Sequence, residues 1–218
     1  MHVLKALSSL VVLSFFAVGT SAAYADSISF SLTHNACSSG CSVIPAGTVV
    51  LTQNGTNDVQ VTVTLTSDYS FRDAPDANHH ALAFELSGVT GTVTVANLNN
   101  SNFSFDGLGA YKDAGLSSNK KFNYAFEYNS STSDQTLSFD LLGTGLTTAS
   151  FVSNYGDYFG VDVRGLDAAA GVGKTGNIGA TAGIVHQVAP PVPEPASFAL
   201  LGTGLLGMAG VVRRKITA

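Results

Sequence analysis

Five stretches of this sequence alternate large apolar side chains with polar or small ones at a period of two. Val59, Val61, Val63 and Leu65 alternate with Gln60, Thr62 and Thr64. Leu82, Phe84 and Leu86 alternate with Ala83 and Glu85, and Phe122, Tyr124, Phe126 and Tyr128 alternate with Asn123, Ala125 and Glu127. Leu137, Phe139 and Leu141 repeat the pattern, as do Phe159, Val161 and Val163. Successive side chains of a strand point to opposite faces, so such a run buries one face and wets the other. A helix would need its apolar residues every three or four positions. Weaker runs lie at 28–32, 48–52, 89–95 and 103–105. Asn54-Gly55, Asp106-Gly107 and Asn154-Tyr155-Gly156-Asp157 supply turn formers between the runs. About nine short strands with no sustained helical period predict an all-β domain, an antiparallel β-sandwich or jelly roll, over residues 26–188. One face of each strand fills the space between two sheets, and the face rich in Thr, Ser and Asn is expected to be solvated. Residues 168–183, mostly Ala, Gly and Thr, fit either a last weak strand or a loop.

The two ends are of a different kind. Lys5, the apolar run from Leu7 to Val18 and the small-residue site Ala23-Tyr24-Ala25 read as a secretory signal peptide over residues 1–25, helical in its apolar part. Cleavage by signal peptidase after Ala25 would leave Asp26 as the mature start. Between Asp26 and Pro193 there are 14 acidic and 6 basic side chains, a net charge of −8. That balance repels phosphate backbones and argues against nucleic acid as a partner. In an oxidising compartment Cys37 and Cys41, within Cys-Ser-Ser-Gly-Cys, most simply form a disulfide closing a tight turn. His34 adds the alternative of a His-x2-Cys-x3-Cys metal cluster, which would need a fourth ligand or a water.

At the other end, the proline-rich spacer Ala189-Pro190-Pro191-Val192-Pro193 leads into Pro193-Glu194-Pro195, then into the uncharged run Ala196–Val212 and the basic group Arg213-Arg214-Lys215. The run is 17 residues long. As a helix it would reach about 26 Å, the short end of what crosses a ~30 Å hydrocarbon core. The positive-inside rule places the basic group in the cytoplasm and the domain outside. From Pro193 onward, order and spacing resemble the PEP-CTERM sorting signal, which with its spacer takes in residues 189–218. The resemblance implies an exosortase that reads Pro193, Glu194 and Pro195 and cuts near them. It also implies a stop signal at Arg213, Arg214 and Lys215, and delivery from an inner-membrane precursor to the surface or exopolysaccharide matrix of a Gram-negative bacterium. It covers about 26 of 218 residues and is silent on the passenger.

Several motifs invite chemistry. Residues 168–175 approach a nucleotide-binding loop ending in Gly173-Lys174-Thr175, and Gly171, Gly173 and Gly176 fit G-x-G-x-x-G. Phosphate binding requires a helix to follow, and Gly176, Asn177 and Gly179 form helices poorly. Asp73, Asp76, His79 and His80 make a loop rich in metal donors, but with the spacing of no recognised site; the reading is a solvated loop before a strand. Glu85 and Glu127 are the only glutamates of the passenger. Two carboxylates ~5 to 9 Å apart could hydrolyse a glycosidic bond, although two surface glutamates are the default. No G-x-S-x-G, H-E-x-x-H or C-x-x-C occurs. The expectation is a non-catalytic exported surface or matrix protein without a cofactor, with exopolysaccharide as a candidate contact. The alternative is a carbohydrate-binding or carbohydrate-active module using calcium or the glutamate pair, marked by a concave face with exposed aromatics beside Glu85 or Glu127; burial of all of Tyr124, Tyr128, Tyr155 and Tyr158 would weaken it.

Overall fold

A computed structural model describes residues 27–37, 41–72, 80–112, 116 and 121–186. The segment 1–25 read as a signal peptide, the spacer, the apolar run 196–212 and the basic tail lie outside them. Within them the chain forms fourteen strands: β1 (Ser27–Ser31), β2 (His34–Asn35), β3 (Gly47–Gly55), β4 (Asp58–Leu65), β5 (Tyr69–Phe71), β6 (Leu82–Leu86), β7 (Thr90–Ala96), β8 (Phe103–Lys112), β9 (Lys121–Tyr128), β10 (Thr136–Thr144), β11 (Phe151–Val152), β12 (Phe159–Gly165), β13 (Thr175–Ala180) and β14 (Gly183–His186). One 3-10 turn, Thr148–Ser150, interrupts them. No described helix is long and apolar enough to cross a membrane.

The strands make two sheets. The first runs β14-β1-β3-β4-β10-β7 and the second β2-β13-β12-β6-β9-β8. Every strand pair is antiparallel. Strands β5 and β6 share one flank of β12, β5 beside its end and β6 beside its start.

The five alternating stretches are β4, β6, β9, β10 and β12. Val59, Val61 and Val63 from β4 and Leu137, Phe139 and Leu141 from β10 face Leu82, Phe84, Phe126, Phe159 and Val161 of the other sheet in one buried core. Phe126 and Phe139 meet across it with ring centroids 4.2 Å apart, and Phe30 meets Phe159 at 5.0 Å. Each such side chain contributes roughly 1.5–3 kcal/mol by leaving water. The weaker runs are also strands, β1, β3, β7 and β8. The small-residue stretch supplies β13 and ends at Gly183, the first residue of β14, and its glycines are needed for close approach. A Cβ on Gly176 would sit 2.6 Å from Cys37, and one on Gly179 would sit 2.5 Å from the Asp157 carboxylate.

Three expectations change. The first hairpin turns at Thr56-Asn57, two residues past Asn54-Gly55, with Gly55 paired to Asp58 and Asn57 taking the left-handed conformation at φ 67°. Asp106-Gly107 is not a turn. It lies inside β8, where the register to β9 shifts between Phe105 and Gly107 and Gly107 has φ 73°. One extra residue on one strand is a β-bulge, and the left-handed glycine that would make a hairpin turn here makes the bulge. The outer face of the second sheet is also not a plain solvated surface. Gly179, Gly160, Ala83 and Ala125 are consecutive partners across β13, β12, β6 and β9. On this row of small residues Leu116 and Phe122 pack in a second buried cluster with Ala83 and Ala125. The outer face of the first sheet keeps the expected hydroxyl pattern, with Thr62 and Ser138 hydroxyls 3.1 Å apart across strands.

Candidate metal centre

Alternation along β8 decides where Asp106 points. Ser104 pairs with Glu127, and Asp106 lies two residues beyond Ser104 on the same face of β8. Strand β6 pairs with β9 through Leu82↔Phe126, so the residues just before β6 reach the same corner. His80 sits there, only 4% exposed, with its ring edge-on to Tyr111 at 4.9 Å. Its Nε2 is 3.8 Å from Asp106 Oδ2, whose side chain is 25% exposed. One donor atom each from His80, Asp106 and Glu127 lie within 4.8 Å of one another. The Tyr111 hydroxyl donates to the Asp106 carbonyl oxygen at 2.8 Å, which fixes the bulge from outside.

Charge at this corner is negative. Burial, and then the neighbouring Glu127, push the Asp106 carboxyl up to about 6. Burial, and then Asp106 and Glu127, raise the Tyr111 hydroxyl as well. Among the described residues no lysine or arginine pairs with Asp106 or Glu127. Arg72 is engaged with buried Asp162 at 3.2 Å. Imidazole and carboxylate oxygen are a donor set that divalent zinc accepts.

The other sequence-predicted residues fall elsewhere. Cys37 and Cys41 are joined by a disulfide. His34 is not a ligand beside them, since its Nδ1 lies 2.9 Å from each carboxylate oxygen of buried Asp157. Of the donor-rich loop, His80 is described, whereas Asp73, Asp76 and His79 lie outside the described residues. So do Ala23, Ala25, Pro193, Glu194, Pro195, Arg213, Arg214 and Lys215. Glu85 and Glu127 do share the outer face of paired strands. Glu85 Oε2 accepts the Asn123 N–H at 3.0 Å, so it stands four residues along β9 from Glu127. At ~3.3 Å per residue that is about 13 Å, beyond the separation of a glycosidase pair. Burial raises the Glu85 carboxyl, while Asn123 and Asn154 oppose the shift. Tyr124 and Tyr128 are buried, Tyr158 packs at the core margin and Tyr155 is 76% exposed. The Lys174-Thr175 segment continues into strand β13, where a phosphate-binding loop needs a helix.

Sequence reasoning weighed His80 and Glu127 separately and passed over Asp106, which it took for part of a turn. The available signal was Asp-Gly in a segment whose alternation resumes on both sides. That combination marks a bulge, and bulges re-aim side chains.

Fold and site together define an antiparallel, sandwich-like β domain with one acidic, histidine-bearing corner. The chain also carries a PEP-CTERM protein-sorting motif, matched over residues 191–215. It matches no curated protein and no solved structure.

Proposed function

We propose that this chain is an exported, exosortase-sorted protein of the cell surface or extracellular matrix. Its β-sandwich is the passenger and has no catalytic activity of its own. The observation that carries the reading is the sorting motif at residues 191–215. Signal peptidase would act after Ala25. The inner-membrane precursor would be held by the run 196–212 until an exosortase recognises Pro193, Glu194 and Pro195. The two prolines keep that segment extended, as a protease substrate generally must be. The exopolysaccharide of a Gram-negative surface is the proposed neighbour. The polar first sheet supports that role: its outer face offers rows of hydroxyls such as Thr62 and Ser138.

A carbohydrate-processing role is less well supported, because the Glu85 and Glu127 positions are too far apart for a glycosidase pair, although Tyr155 is exposed. The test of the sorting route is substitution within the motif. Glu194→Gln or Pro195→Ala should leave export intact and trap the protein in the inner-membrane fraction. Release of either variant at the wild-type level would remove the exosortase step from this reading.

A further inference from the structure

We propose that His80, Asp106 and Glu127 bind one divalent metal ion of the zinc class, cross-linking the entry to β6 with β8 and β9 on the outer face of the second sheet. The proposal goes beyond the sorting function and does not depend on it. Three observations carry it. First, the three donors come from three separate chain segments, yet converge within 4.8 Å. Second, His80 Nε2 lies 3.8 Å from Asp106 Oδ2, too far for a hydrogen bond. It is close to the spacing of two ligands of one ion, because donors held ~2.0–2.2 Å from a tetrahedral zinc ion lie about 3.3–3.6 Å from each other. The widest pair has to close by at most about 1.5 Å, which rotation of the two carboxylate side chains supplies. Third, the site is built rather than a cluster of surface acids. Its imidazole is 96% buried by the complement of its 4% exposure, its ring is set against Tyr111, and the Tyr111 hydroxyl holds the backbone of Asp106.

The chemistry selects the ion. Two carboxylates without a described lysine or arginine partner favour a cation between them. One imidazole among the ligands favours zinc over calcium or magnesium, which prefer all-oxygen shells. The partial exposure of Asp106 leaves a way in from solvent and a fourth position for water.

The test uses the full chain, stripped with chelator and reloaded with zinc chloride at neutral pH. Bound metal is counted by mass spectrometry of the metal and by titration calorimetry. Wild type is expected to take one zinc ion per chain and to melt at a higher temperature when loaded. Asp106→Asn and Glu127→Gln keep side-chain shape at a partly exposed corner, so both should fold with wild-type circular dichroism. Each should weaken zinc binding at least tenfold and abolish the melting shift. His80→Gln, which loses the nitrogen donor, should do the same. Zinc uptake that survives all three substitutions places the ion elsewhere and overturns the proposal. Stripped and zinc-loaded proteins that melt together overturn it too, leaving His80 and Asp106 as a plain ion pair. Calcium binding that His80→Gln leaves untouched overturns the zinc assignment.

Discussion

Asp134 ends the turn that joins β9 to β10, and its carboxylate collects three side-chain donors. Tyr128 and Asn102 each reach Oδ2 at 2.8 Å and Thr132 at 2.9 Å, while the Asp134 carbonyl accepts the Phe71 N–H at 2.9 Å. Burial pushes this carboxyl up, but the hydrogen bonds from Asn102, Tyr128 and Thr132 outweigh it and hold the group below the ordinary aspartate value of 3.8. A depressed folded-state value means the stabilisation is present above the unfolded value and is lost as pH falls through the folded one. Asp134→Asn should therefore cost about 1 kcal/mol at neutral pH, a figure kept low for a partly solvated site. Urea unfolding at pH 7 and again near pH 3 checks this, and the gap between mutant and wild type should narrow in acid. None of these partners was legible in the sequence. Tyr128 shows in the sequence only as part of a strand pattern, and a carboxylate joined to Asn102 from a separate chain segment leaves no local signature.

At the level of the element, the β8 bulge shows how one residue changes a strand. Gly107 has φ 73°, and a Cβ there would meet nothing within 4 Å. The cost of a side chain at this position is therefore conformational rather than steric. Gly107→Val should destabilise the domain by about 1–2 kcal/mol, and Gly107→Asn by less, since Asn tolerates the left-handed region. Thermal melts of the two variants give the order. A reversed order would mean that the bulge is not held in that conformation. The same element explains a sequence reading that failed. Asp-Gly carries the turn conformation in either setting. Only the continued pairing of Phe105 with Phe126 and of Gly107 with Ala125 turns it into a bulge. The strongest strands were legible because their core faces are uniform. The short β5 and β11 were not, since three and two residues cannot show a period.

For the whole molecule, the described domain and the sorting motif meet in one prediction about covalent processing. Intact mass of the protein recovered from the native surface fraction should correspond to a chain beginning at Asp26 and ending in the Pro193–Pro195 region. A mass that still includes Arg213 to Ala218 would make the chain a membrane-anchored domain and withdraw the processing step. The sorting tail and the all-β class were determined by the sequence alone, for related reasons. A sorting motif is contiguous, read as an extended segment by another protein, so its information is complete in its order of residues. A strand likewise displays its two faces locally, residue by residue. The acidic corner was decided only by tertiary structure. Residues 80, 106 and 127 are far apart in the chain, and they meet through the β6–β9 and β8–β9 registers. Pairing register is a non-local balance of many contacts, and a shift of one residue would send the Asp106 and Glu127 side chains to the opposite face.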